Sequence, residues 1–299
     1  IRSERESLRA DLTRLGADPG PSQGNFVYAA VTDPAWVRDG LAGLGIAVRL
    51  FEERPGPGPL RISCPGNERD FRRLREGLET VMAPEAVLFD MDGVLADVSR
   101  SYRRAILETA RTFGETFTPD EVAAAKRQPG SNNDWVLTKN LLAGRGRRVD
   151  LAEVTSRFQE IYQELAAEER LIPERDLLVR LAGRLPLAIV TGRPREDAEV
   201  FLERAGIGDL FAAVVCLEDG PGKPHPATVN LALEKLGVRR AWMVGDTVND
   251  IGAARAADVL PLGVVPPGEN SPDYAPFLIA SGAGRVLKKL SELEEVLPR

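Results

Sequence analysis

The chain has 299 residues, 43% of them hydrophobic and 28% charged, with a formal net charge of -6. That composition excludes a disordered or fibrous protein, leaves room for two domains, and argues against nucleic acid as the main partner, which usually calls for a basic face. No stretch approaches the roughly 20 apolar residues of a membrane span, and Ile1-Arg2-Ser3-Glu4-Arg5 has no apolar signal core, so a cytoplasmic protein with no membrane partner is expected. Cys64 and Cys216 are read as packed thiols rather than a disulfide or metal pair. A start at Ile1 suggests a piece of something longer.

Leu8, Leu12 and Leu15 recur at helical spacing and give way to Gly16-Ala17-Asp18-Pro19-Gly20, a break. A strand at Asn25–Val31, a helix near 34–44, a strand at 46–51, a short strand at Leu60–Ser63 and a helix near 67–82 complete a small α+β unit, assigned to residues 1–83. The next stretch, Val87-Leu88-Phe89-Asp90-Met91-Asp92-Gly93, reads as a buried strand that runs out in two carboxylates and a glycine. From 99 to 171 helix follows helix, with apolar faces at Tyr102/Ile106/Ala110, Val122/Ala125, Val136/Leu137/Leu141 and Leu151/Val154/Phe158/Ile161/Leu165. Apolar runs at Leu187–Val190, Ala213–Cys216, Ala241–Val244 and Leu262–Val265 then alternate with helical segments near 195–205, 226–236 and 247–257. That alternation predicts an α/β, doubly wound, Rossmann-like core over 84–98 and 172–299, with a helical cap over 99–171. A final helix is expected at about 285–297.

Each returning strand ends in polar chemistry. Asp90 and Asp92 lie where ligands bind in open α/β sheets, although Asp-Gly is also a common turn. Val190-Thr191-Gly192-Arg193-Pro194 offers a hydroxyl and free amides for a phosphate, or a plain helix cap. Lys223, between Gly222 and Pro224, is a fixed ammonium able to stabilise charge on a phosphoryl group. The adjacent His225, the only histidine, is read as a loop residue, which makes zinc or a Ser/His/Asp triad improbable. Val244-Gly245-Asp246-Thr247-Val248-Asn249-Asp250 ends another buried strand in a carboxylate, with a second one four residues on; a helix cap with a solvated Asp is the alternative.

Asp90-Met91-Asp92-Gly93-Val94-Leu95, Thr191-Gly192, Lys223-Pro224 and Gly245-Asp246…Asp250, in that order, resemble the four motifs of the haloacid dehalogenase superfamily of phosphatases, and the helical insert resembles the cap of its subfamily I. The resemblance implies a hydrolase of phosphoric monoesters in which Asp90 is the nucleophile and Asp92 the general acid and base. It implies that Thr191, Gly192 and Lys223 hold the phosphoryl group. Mg²⁺ would be bound by Asp90, by Asp92 through its main-chain carbonyl, and by Asp246, with Asp250 in support. Asp92 and the metal site separate this chain from true dehalogenases, and no motif places the cap lysines Lys126 and Lys139 as Schiff-base residues. A phosphomutase with the same set is the enzymatic alternative; a non-catalytic interaction module is the alternative of another class.

Residues 1–82 resemble the small C-terminal domain of fold-type I, pyridoxal-phosphate-dependent aminotransferases of the histidinol-phosphate group, on Pro21-Ser22-Gln23-Gly24-Asn25-Phe26-Val27 and Leu60-Arg61-Ile62-Ser63. This implies a carboxylate-binding counterpart in Arg61 and a cofactor-bearing large domain that the chain lacks, so transamination by this chain alone is not expected. Joined to a phosphatase, the resemblance implies a small phosphorylated metabolite as substrate, histidinol phosphate, with phosphoglycolate and sugar phosphates as alternatives. In the cap, Gly130-Ser131-Asn132-Asn133-Asp134-Trp135 is the candidate for leaving-group recognition through Asn132, Asn133, Asp134 and Trp135; equally, Ser131 or Asn132 could simply cap a helix.

Overall fold

A computed structural model describes residues 1–51, 56–128, 131 and 133–298. The N-terminal unit runs α1 (Arg2–Arg14), β1 (Asp18–Pro19), β2 (Phe26–Val31), α2 (Pro34–Gly43), β3 (Arg49–Leu50), β4 (Gly58–Ser63) and α3 (Glu68–Met82). Its antiparallel sheet has the order β1-β2-β4-β3. Period-two alternation buries Val27, Ala29, Val31, Leu60 and Ile62 on one face and leaves Tyr28 exposed on the other. Asp33 caps α2 through Trp36 N, and Asn67 caps α3 through Asp70 N. The strand expected over 46–51 shrinks to two residues at the sheet edge, where pairing has only one side to come from.

After β5 (Ala86–Phe89) and β6 (Ala96–Asp97) the chain leaves for four helices, α4 (Tyr102–Thr112), α5 (Pro119–Lys126), α6 (Asp134–Gly144) and α7 (Leu151–Leu165). It returns through β7 (Arg170–Leu171), which pairs antiparallel with β6 so that Ala96 faces Leu171 and Asp97 faces Arg170. This ribbon is the neck of the helical insert. Then follow α8 (Arg175–Ala182), β8 (Leu187–Val190), α9 (Arg195–Ala205), β9 (Ala213–Val215), α10 (Ala227–Leu236), β10 (Ala241–Gly245), α11 (Val248–Ala256), β11 (Leu260–Val264), α12 (Tyr274–Ala280), β12 (Arg285–Leu287) and α13 (Glu292–Val296). The main sheet is parallel throughout, in the order β12-β11-β10-β5-β8-β9. Strand order reverses about β5, so a crevice opens beyond the carboxyl ends of β5, β8 and β10. The final helix expected over 285–297 is corrected: Arg285–Leu287 is an edge strand held by β11, and only Glu292–Val296 is helical.

Both faces of this sheet are apolar, as a parallel sheet requires. Leu88, Ala188, Val190 and Met243 face α10 and α11. Val87, Phe89, Ile189, Trp242, Leu260 and Leu262 face the other way, into a cluster continuous with the N-terminal unit. There Leu177, Leu178 and Leu181 of α8 and Ala198 and Phe201 of α9 join that cluster, while α2 lies against β11 and β12 and α3 against β10. Trp242 is fully buried, meets Trp36 edge-on at 4.9 Å between ring centroids, and donates its indole N–H to Thr80 O at 2.7 Å. Helix α2, which also packs on β3 and β4, is thus sandwiched between the two sheets. Among the described residues no helix is long and apolar enough to cross a membrane.

Candidate active site

Parallel pairing sets Phe89 beside Val244 and Ile189, so the residues that follow these strands emerge together at the crevice. Asp90 follows β5 with its N–H donated to Val244 O at 2.8 Å, and its carboxylate is buried. Lys223, on the loop before α10, reaches it from below: Nζ lies 2.7 Å from Asp90 Oδ1 and 2.5 Å from Asp250 Oδ1, and donates to Val190 O at 3.0 Å. Asp250 belongs to the first turn of α11, where its other oxygen closes a capping box with Thr247. Asp246 follows β10, and its main-chain carbonyl accepts a bond of 2.7 Å from the Tyr274 hydroxyl.

Two glycines allow this density. Gly93 sits at φ 76°, and a Cβ there would meet Asp246 Oδ2 at 2.2 Å; one on Gly245 would meet Asp250 Cβ at 2.1 Å. Thr191 follows β8 and is buried, its hydroxyl accepting from Arg193 N at 3.1 Å. Gly192 lines the cavity above.

Carboxylates this crowded resist ionisation. Burial first, then Asp250 and Asp92, push the Asp90 carboxyl up to about 7 against the pull of Lys223. Burial, Asp250 and Asp90 likewise drive Asp246 upward. Burial works against the Lys223 ammonium, but Asp250 and Asp90 outweigh it and hold the group above its usual range. One oxygen each from Asp90, Asp246 and Asp250 lies within 4.8 Å of the others. A buried set of hard oxygen donors carrying this much unmet negative charge fits a small divalent cation.

The Asp92 side chain turns away from that cluster. Its Oδ1 accepts from Arg193 Nε at 2.5 Å, leaving the carboxylate at the cavity floor. The cavity, about 740 Å³, is roofed by α4, α5 and α6 and by the loop before α12. Cap and core meet across it through Arg127 and Glu269, 3.0 Å apart, and through Tyr102, whose hydroxyl donates to Asp197 at 2.7 Å.

The cap residues named from the sequence divide. Asn133 is the true cap of α6, its Oδ1 accepting from the amides of Trp135 and Val136 at 3.0 Å each. Ser131 does not cap that helix: its hydroxyl donates back to Lys126 O and Gln128 O. Asn132 and Gly130 lie outside the described residues. Trp135 and Asn133 line the cavity, as does Asp134, which forms a 2.6 Å ion pair with Lys126. Burial raises the Asp134 carboxyl despite that partner, and Asp134 in turn keeps the buried Lys126 ammonium above its ordinary value. Lys139 is not among the lining residues, nor is Arg61, whose guanidinium stacks on Phe26 at 4.4 Å. His225 is exposed, its Nδ1 accepting from Ala227 N. The sequence reading gave no role to Arg193, Glu169, Arg103 or Tyr274. Only Arg193 stood inside a stretch already singled out.

A family model for haloacid dehalogenase-like hydrolases matches residues 84–258. The chain belongs to this family. Among curated haloacid dehalogenase-like relatives, a phosphoglycolate phosphatase of Yersinia pseudotuberculosis is 32% identical over 58% of this chain and 78% of its own. A protein named imidazoleglycerol-phosphate dehydratase, from Phytophthora nicotianae, is 45% identical over 61% of this chain but only 44% of its own length. A family hydrolase of Deinococcus radiodurans, solved with bound phosphate and sodium, superposes with a TM-score of 0.56 at 26% identity, covering 72% of this chain and 98% of the other. The chain is therefore an enzyme of the phosphatase and phosphomutase type, built on the family's Rossmann-like core.

Proposed function

We propose that the chain is a Mg²⁺-dependent phosphomonoester hydrolase acting through an aspartyl-phosphate. One observation carries the reading: Lys223 Nζ lies 2.7 Å from the Asp90 carboxylate, at the end of the central strand and within a cluster of buried acids. The Asp90 oxygen that does not face Lys223 attacks phosphorus in line, and the bond from phosphorus to the leaving oxygen breaks as Asp92 gives that oxygen a proton. Water then attacks the aspartyl-phosphate, passes its proton to Asp92, and frees phosphate and Asp90. Thr191, the amide of Gly192 and Lys223 hold the phosphoryl oxygens throughout. Asp90, the Asp92 carbonyl and Asp246 would hold Mg²⁺, with Asp250 in support; when bound, the ion offsets the repulsion between carboxylate and phosphate. Asp90→Asn is expected to abolish phosphate release from a small phosphomonoester, and Asp92→Asn to leave almost none. Wild-type rates in Asp90→Asn would overturn the assignment, and no release by the wild type on any ester would favour an interaction module.

For the substrate, the reading is histidinol phosphate. It is supported by the aminotransferase resemblance of residues 1–83 and by the 45% identical relative, whose name carries another imidazole-bearing phosphate. A second reading, a leaving group that carries its own anion as phosphoglycolate does, is favoured by Arg103. This guanidinium lines the cavity and, among the described residues, has no carboxylate within ion-pair distance, whereas Asp134, the acid suited to an ammonium, is already paired with Lys126. A phosphate-release screen of histidinol phosphate, phosphoglycolate, hexose phosphates and mononucleotides separates them. The histidinol reading requires at least about a tenfold advantage in kcat/KM, about 1.4 kcal/mol of transition-state preference. Isomerised sugar phosphate without phosphate release would identify a phosphomutase. A pyridoxal-phosphate-bearing large domain is proposed as partner of residues 1–83; the cofactor's absorbance in a purified complex tests it.

A further inference from the structure

Arg193 is a buried guanidinium outside the metal-type cluster, and it stands where cap, core and general acid meet. Its side chain is 1% exposed. Nε donates to Asp92 Oδ1 at 2.5 Å, while Nη1 and Nη2 fork onto the two oxygens of Glu169 at 3.0 and 3.1 Å; Nη1 also reaches the Tyr162 hydroxyl at 3.2 Å. Its plane is held between the rings of Tyr102, 4.8 Å away on the cap, and Phe201, 5.4 Å away on the core. A planar guanidinium with a rigid fork suits such a junction, and a lysine would not reproduce it.

Glu169 gives the junction its meaning. It immediately precedes β7, the returning strand of the neck ribbon, and is itself buried. Ser101, at the start of the first cap helix, donates to it at 2.7 Å, and Tyr162 of α7 at 3.3 Å. Both ends of the cap therefore close on one carboxylate, and that carboxylate grips the guanidinium that holds Asp92. If the cap swings about the ribbon, Arg193 loses the Tyr102 face and the Tyr162 hydroxyl together.

We propose that Arg193 is the positioning residue of the general acid and base, and that Glu169 ties its hold on Asp92 to the seating of the cap. Proton transfer to the leaving oxygen then becomes efficient only when the cap is in place. The inference rests on the aspartyl-phosphate reading and adds to it how the proton donor is aimed.

Leaving-group chemistry tests it. Breaking the phosphorus–oxygen bond to an alkyl leaving group needs the proton of Asp92, whereas 2,4-dinitrophenolate departs without one. Single-turnover phosphorylation of Arg193→Lys and Glu169→Gln, in the full chain with Mg²⁺, is expected to fall about 100-fold with an alkyl phosphate, a typical share for general acid catalysis. With 2,4-dinitrophenyl phosphate it should fall less than about threefold, and KM should hold for both esters. Should these buried changes unfold the protein, Tyr162→Phe removes only one hydroxyl, and a loss confined to the alkyl ester is expected there too. Equal losses on both esters, or none on either, would overturn the inference while leaving the hydrolase reading intact. Failure of the wild type to turn over either ester would overturn the hydrolase reading itself.

Discussion

Asp90, Asp246 and Asp250 share a space in which Lys223 is the near cation, so protonation of Asp90 and Asp246 competes with the binding of a metal. Because the Asp90 carboxyl rises in the fold from 3.8 to about 7, the metal-free folded protein takes up protons between those values. The contribution of Asp90 to stability is complete below about pH 4 and is lost as pH climbs through 7, when its buried carboxylate must carry charge. A divalent cation favours the ionised form and must displace those protons. The rise in Tm produced by a fixed excess of Mg²⁺ is therefore expected to be larger at pH 8 than at pH 5.5. Thermal melts with and without the ion at both values check this, and an equal or larger gain at pH 5.5 would contradict it. Asp90 and Asp246 were legible in the sequence because each directly follows a buried strand, and Asp250 and Lys223 because they sit in short motifs, where a few consecutive letters announce the site. Arg193 and Glu169 were not: their partners are 24 and 101 residues apart in the chain, and nothing local distinguishes them from surface charge.

At the scale of elements, the cap hangs on a neck of two short strands, β6 and β7, of two residues each. A ribbon with so few backbone bonds opens at low cost, while the helices on one side and the sheet on the other move as bodies. On adding Mg²⁺ with a phosphate analogue, amide exchange should slow at 96–99 and 171–173 and stay unchanged in the middle of β10. Unaltered exchange in both neck segments would count against closure. The core strands were readable from their apolar runs, since a strand buried on both faces has no polar side to alternate with. The chain's end was not. Its leucines, Leu287, Leu290 and Leu293, fit helical spacing, and only the open edge of β11 turned Arg285–Leu287 into a strand.

For the whole molecule, the feature with the largest consequence is the packing of α2 and α3 on the main sheet. Residues 1–83 cover Trp242, Leu260 and Leu262 with α2 and α3, and Arg240 reaches across to Glu79 at 2.9 Å. Removing that cover would leave a contiguous apolar face on the hydrolase unit. A chain of residues 84–299 is expected to bind a hydrophobic dye and to unfold at lower urea than the full chain; an unchanged midpoint would show that the two parts are independent. In the full chain, Trp242→Ala should cost about 3–5 kcal/mol, a large share of a typical domain's stability.

By itself the sequence determined the candidate chemistry and the order of parts: strand ends followed by Asp90, Thr191 and Asp246, a loop carrying Lys223, a helical insert after the first strand, and an α+β unit ahead. All of these are written in local patterns, apolar periodicity and short motifs. The tertiary structure decided what those parts share. It set α2 and α3 over the face of the main sheet, paired Asp134, a candidate leaving-group contact, with Lys126, and brought Glu169 to Arg193 beside Asp92. Such contacts join residues remote in sequence, and which surfaces meet depends on the shape and charge of faces that exist only after the elements have formed.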